Sequence, residues 1–391
     1  MPELIGMNEF QRHTMATDQN VAQGMDGLRF PLLGLFGEVG SLLSALKKKQ
    51  RDRASYIGYE DSILEEFGDV LWYFSNVAAR ANLDLSVLAQ KMSRDLSDWD
   101  ETEPHEFGTF GDIQPVSSIA PNHSNVVFEQ RLIELAGKTG RLMDDVGANR
   151  IEHNRDALAG HLVEIFRALV SAADEADVDL EEAARRNISK TLSRWPSAEQ
   201  RVPPPLFDQS DDPEERLPRH IELDFAERGP DGRKYVRLQC NGVNIGDRLT
   251  DNRAVEDDYR FHDVFHLAYA AILGWSPVTR ALFRVKRKSN SNLDETQDGA
   301  RATLVEEGIS TWVFSHARQL QYFESIASLD YPLLKTVQAQ VKGYEVEACP
   351  LWLWEKAILD GYAVFRCLRK LRKGLVIADL KARSIVFRPA P

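Results

Sequence analysis

One helical pattern occurs twice in this chain, and that repeat limits the fold more than any other feature. Leu35-Phe-Gly-Glu-Val-Gly-Ser-Leu-Leu43 lines up with Leu135-Ala-Gly-Lys-Thr-Gly-Arg-Leu-Met143. Asn76-Val-Ala-Ala-Arg-Ala-Asn-Leu-Asp-Leu85 lines up with Ser171-Ala-Ala-Asp-Glu-Ala-Asp-Val-Asp-Leu180, and each copy ends near a tryptophan, Trp99 or Trp195, after one residue of slippage. Such a duplication is expected to form one helical bundle from two copies. In the first copy, apolar residues recur at helical spacing: Leu32, Phe36, Val39 and Leu43 in one segment, Ile63, Phe67, Val70, Leu71 and Phe74 in the next. Both segments are therefore expected to be core-facing helices.

Acids interrupt that apolar pattern. Glu38 lies on the first segment, and Glu66 and Asp69 lie on the second. A spacing of three puts Glu66 and Asp69 on one helix face, where like charges repel unless a cation lies between them. In the second copy Glu38 becomes Lys138, Glu66 becomes His161 and Asp69 becomes Glu164, while the apolar positions persist. The packing is kept and the acid set is not, so only the first copy is expected to hold metal.

Net charge is −12, which disfavours broad nucleic-acid binding. Three basic runs stand out, Lys47 to Arg53, Arg284 to Lys288 and Arg366 to Lys373; they read as solvated helix ends, with steering of triphosphates as the alternative. No apolar run of bilayer length is expected, and Met1 to Phe10 lacks the order of a secretory signal, so the expectation is a cytoplasmic protein with no membrane partner. Cys240, Cys349 and Cys367 show no metal-ligand spacing and are expected to be free thiols.

Two stretches rich in proline read as linkers, 101–125 and 197–218, the second containing Pro203-Pro-Pro205. They divide the chain into helical segments 1–100 and 126–196 and a smaller α+β domain, 219–391. The predicted fold is mainly α. Strand signals in the last part are Ile221 to Phe225, a turn at 229–232, Tyr235 to Gln239, and a closing hairpin from Leu375 to Ala378 and Ser384 to Phe387.

The first segment resembles the MazG-type all-α nucleoside triphosphate pyrophosphohydrolases, whose signature is Glu-Glu-x-x-Glu on one helix and Glu-x-x-Asp on the next. Glu66-Phe-Gly-Asp69 matches the second motif; in the first, Gly37 and Ser41 stand where the family has glutamates and only Glu38 remains. The resemblance covers residues 25 to 100 most clearly and 126 to 196 weakly. It implies a site in which Glu38, Glu66 and Asp69 hold Mg2+, with Mn2+ able to substitute. A nucleoside triphosphate would be cut between its α and β phosphates to monophosphate and pyrophosphate. Glu65 would orient the water or act as an outer acid, and Lys91 looks like the family's basic residue near the phosphates. Trp72 and Tyr73 read as core or interface aromatics, or as surfaces that stack on a base. Gly34, Gly37 and Gly40 read as close helix packing, or as room for phosphate. A monomer or small homo-oligomer is implied. The eroded motif leaves open a nucleotide-binding sensor that does not hydrolyse and instead controls the C-terminal domain.

That domain carries a second candidate site. Asp258, His262 and His266 follow one another at steps of four, and if helical they share a face. Glu306, on a later helix, is a further candidate ligand for a metal such as zinc, and a hydrolase centred on His262 and His266 is a third functional reading. A pair of buried histidines satisfied by a carbonyl or carboxylate fits the same residues.

Overall fold

The computed structural model describes residues 4–20, 22, 27–93, 108–114, 125–151 and 154–390. Trp99 lies outside them. The chain divides into two compact units, Met1–Ser197 and Ala198–Pro391.

The first unit is helical: α1 (Met7–Thr17), α2 (Arg29–Asp52), α3 (Tyr59–Arg80), α4 (Leu85–Ser93), α5 (Asn125–Gly147), α6 (Arg155–Glu175) and α7 (Leu180–Arg194). One apolar core takes residues from all seven. On α3 the expected face is realised, with Ile63, Phe67, Val70, Leu71 and Phe74 all buried. On α2 it is shifted. Leu32, Leu35, Val39, Leu42 and Leu46 line the core, whereas Phe36 is 47% exposed. This helix packs against both α3 and α5, so the buried stripe runs through Leu35 and Leu42 and leaves Phe36 outside it. By length and composition α2 with the short turn after it, Arg29–Ser55, would pass for a membrane span, which corrects the expectation that no apolar run reaches bilayer length. Here one face of the helix, from Leu32 to Leu46, lines the core.

Two helices of this unit touch through glycine. A Cβ at Gly68 on α3 would stand 2.7 Å from the carbonyl oxygen of Ala183 on α7. Gly68→Ala is therefore expected to destabilise the unit, because overpacking costs about 1–3 kcal/mol and a gain in helix propensity of about 1 kcal/mol does not offset a backbone clash. A denaturation midpoint at or above that of the parent would contradict so close a helix contact. Gly34 is similar, with the Tyr73 ring where its Cβ would be, whereas Gly37 and Gly40 face open space.

The second unit is a five-stranded antiparallel sheet covered by helices. Its strands are β1 (His220–Arg228), β2 (Tyr235–Cys240), β3 (Val243–Leu249), β4 (Lys373–Asp379) and β5 (Ser384–Arg388), in the order β3-β2-β1-β4-β5. In the β1–β4 register Leu223 faces Val376 and Phe225 faces Gly374. The predicted strands and closing hairpin are present. Strand β3 was not expected, because Val243–Leu249 lies almost wholly exposed and shows no apolar alternation. Its signal is the Asn241-Gly242 turn, in which both residues have positive φ, 50° and 76°, as a two-residue hairpin loop requires.

The helices of this unit are α8 (Asp263–Ala268), α9 (Pro277–Phe283), α10 (Ser291–Thr296), α11 (Ala300–Gln319), α12 (Tyr331–Gln340) and α13 (Leu351–Leu371). A π-helical turn, Tyr269–Leu273, continues α8. Of the stretch 197–218, read as a linker, residues 198–218 are in fact built into this unit, with Leu217 in the core and Asp208 buried against Arg219 and Arg280. Proline content signalled irregular backbone there, and irregular backbone is not the same as a tether. Of the 101–125 stretch only residues 108–114, together with Asn125 at the start of α5, are described; Phe110 is buried edge-to-face against Phe10. The cysteines are free thiols, and burial pushes that of Cys349 up to about 12.

Candidate metal centre

The acids converge as the helix pattern implies. One carboxylate oxygen from each of Glu38, Glu66 and Asp69 lies within 4.8 Å of the others. A single turn of α3 presents Glu66 and Asp69, and the packing of α2 on α3 brings in Glu38. All three are half-buried at the edge of the core. Burial comes first, then the charges of Glu38 and Asp69, in pushing Glu66 up to about 7. Burial and Asp69 raise Glu38, and burial raises Asp69 against the pull of Lys190. Three carboxyls that each resist ionisation form a site short of positive charge. Their hard oxygen donors fit a small divalent cation.

Lys190 was not anticipated. Its ammonium bonds Asp69 and stands 3.5 Å from Glu65 Oε1, and Asn187 Nδ2 donates to Asp69 Oδ1 at 2.8 Å. Both come from α7, which packs on α3. Lys91, the expected basic residue, lies instead on α4, which packs on α6. Counted back from Trp99 and Trp195, Lys91 corresponds to Asn187 and Arg94 to Lys190. The signal was thus present in the sequence alignment, but α4 packs on α6 and α7 on α3, so it is Lys190 that meets Asp69. Arg94 lies outside the described residues.

The two aromatics differ. Trp72 is buried and donates its indole N–H to Thr17 Oγ1 at 3.1 Å, which makes it a structural side chain and removes it as a base-stacking candidate. Tyr73 is half-buried, and burial together with the charges of Glu38 and Asp69 raises its hydroxyl, which places it at the acid cluster. On α5 and α6, at the positions aligned with the acids, Lys138 Nζ stands 2.5 Å from Glu164 Oε2, and His161 Nε2 is 2.7 Å from Asp145 Oδ2. The hydrogen bond from Lys138 holds the Glu164 carboxyl below its ordinary value.

In the second unit, His262 and His266 come together and Asp258 does not join them. Asp258 has φ 69° and precedes a 3-10 turn, Tyr259–Phe261, so the helical spacing breaks before α8 begins. Its carboxylate is held by Arg260, Arg369 and Arg372. Glu306 reaches His266 Nδ1 at 2.9 Å, but its oxygens also accept from Ser276 Oγ at 2.6 Å and from the Val278 N–H at 2.8 Å. Of the basic runs, Arg366, Arg369, Lys370 and Arg372 line a cavity of about 810 Å³ together with Arg318 and Tyr322.

The architecture is therefore mainly α, with a helical unit that gathers three carboxylates and a second unit built on an antiparallel sheet. Residues 202–391 match the family model of the MazG C-terminal domain, which supports MazG-family membership and points to a nucleotide-related function. The Gene 37 protein of Mycobacterium phage L5 is 35% identical over 69 residues, which are 17% of this chain and 60% of that protein, so the chain spans less than two thirds of this relative's length. No solved structure matches.

Proposed function

We propose that the first unit is a metal-dependent nucleoside triphosphate pyrophosphohydrolase, releasing monophosphate and pyrophosphate. The observation that carries this reading is the cluster of Glu38, Glu66 and Asp69 with Glu66 pushed up to about 7. These three residues would hold Mg2+ or Mn2+. When bound, such an ion supplies positive charge opposite phosphate oxygens and acidifies water.

The chain's own residues have separable tasks. Lys190 and Asn187 both bond Asp69 Oδ1, which would leave Oδ2 as the ligand atom. Glu65, 3.5 Å from Lys190, is the base that orients the attacking water. Tyr73 closes the cluster on the α2 side, in the space left by Gly34. The crossed packing of α4 on α6 and of α7 on α3 supports reading the unit as tandem repeats, one active and one degenerate. Each chain would then hold one active centre.

The test is an assay over ribo- and deoxyribonucleoside triphosphates with Mg2+ or Mn2+, separating monophosphate plus pyrophosphate from diphosphate plus phosphate. Monophosphate with pyrophosphate is expected. Diphosphate, or binding with no turnover, would overturn the reading, and the second result would favour a sensor.

A further inference from the structure

The second unit contains a cluster that triphosphate chemistry at the three carboxylates does not use. His262 and His266 flank the first turn of α8, their ring centroids 5.6 Å apart. Each ring is tied at Nδ1: that of His262 lies 2.9 Å from the Tyr259 carbonyl oxygen, and that of His266 lies 2.9 Å from Glu306 Oε1. An acceptor at Nδ1 keeps the proton there and leaves Nε2 with a free lone pair, which is how metal-binding imidazoles are oriented. Tyr259 stacks on the His262 ring at 4.3 Å and 3°, locking its plane.

The two Nε2 atoms face carboxylates. Asp263 Oδ1 is 3.2 Å from His262 Nε2, and Glu307 Oε2 is 3.5 Å from His266 Nε2. One donor atom each from His262, Asp263 and His266 falls within 4.8 Å of the others. His266 is 2% exposed, and its buried Nε2 has the Glu307 carboxylate 3.5 Å away, without the geometry of a good hydrogen bond. A buried nitrogen so poorly paired is costly and calls for an occupant.

We infer that the second unit binds one divalent transition-metal ion of the zinc class through His262 Nε2, His266 Nε2 and the Asp263 carboxylate, with Glu307 as the ligand on the solvent side. Two imidazoles and carboxylates suit zinc, manganese, iron or cobalt, and imidazole nitrogen is a poor ligand for magnesium. Glu307 has a 39% exposed side chain and is the member that can swing aside. Glu306 is a positioning residue, because both its oxygens already accept hydrogen bonds from His266, Ser276 and Val278. The competing arrangement is a protonated His266 held between Glu306 and Glu307, with no ion.

The experiment is metal analysis of the untagged full chain after incubation with Zn2+ and dialysis, followed by Co2+ substitution and visible spectroscopy. About one zinc per chain is expected, with a Co2+ ligand-field band that persists in Glu66→Gln. His262→Ala, checked for native circular dichroism, should lose both. Should that variant not fold, Glu307→Gln, at a partly exposed position, should bind Zn2+ about 10–100-fold more weakly. Retention of no zinc and absence of a Co2+ band in the parent would overturn the site, as would unchanged binding in the His262 and Glu307 variants.

Discussion

Glu66→Gln is expected to lower pyrophosphate release by at least about 100-fold, since a metal ligand contributes several kcal/mol to transition-state charge stabilisation. The same substitution should also stabilise the protein in chelator. In the folded chain Glu66 titrates near 7, above its ordinary value of 4.5, because of burial and then the neighbouring Glu38 and Asp69. A raised carboxyl favours folding while it is protonated. That contribution is complete below about 4.5 and is lost as pH rises through about 7. In chelator the parent should therefore lose about 1–2 kcal/mol between pH 5 and pH 8, once solvent screening is allowed for. The amide side chain of the variant keeps the shape without the charge and should flatten that slope. Added Mg2+ should restore stability to the parent at pH 8 and leave the variant unmoved. Full activity in the variant, or equal pH slopes for the two proteins, would remove Glu66 from the site.

The second large effect is on stability. Arg287 is 1% exposed and forms a double fork: Nε and Nη2 lie 3.1 and 2.7 Å from the Asp298 oxygens, and Nη1 and Nη2 lie 2.9 and 2.8 Å from those of Glu345. Burial works against its charge, yet the bonds to Asp298 and Glu345 hold it above the ordinary arginine value. Arg280 lies alongside, 3.1 Å from Asp208 and 3.5 Å from Asp298. Arg287→Ala takes the guanidinium away from both Asp298 and Glu345, leaving Asp298 with Arg280 and the backbone N–H of residue 287, and should cost about 3–5 kcal/mol, as expected when one partner of a buried pair is removed. Denaturant unfolding followed through Trp275 and Trp354, both in this unit's core, would measure it. A loss under about 1 kcal/mol would mean that water reaches these carboxylates.

Much of this was legible in the sequence, for reasons that differ by element. The α3 face from Ile63 to Phe74 could be read from period alone because one helix buries one stripe. The same rule misplaced Phe36, because α2 meets two neighbours and its stripe follows both. The acid cluster could be read because Glu66 and Asp69 are local to each other and the repeat drew attention to Glu38. Lys190 could not be read, since it lies 121 residues from Asp69 and depends on which copy's last helix packs on α3. Asp258 was misread because spacing in steps of four assumes a helix that begins only at Asp263.

The ion pair between Lys138 and Glu164 has a consequence for how such a bundle changes over time. Where two identical subunits build the bundle, any substitution appears on both sides at once, and losing an acid disarms both centres. In a fused chain Lys138 is written once. Under the proposed function, its ammonium gives the α5–α6 half of the unit a cation of its own, so that this half would be free to diverge while Glu38, Glu66 and Asp69 keep the ion.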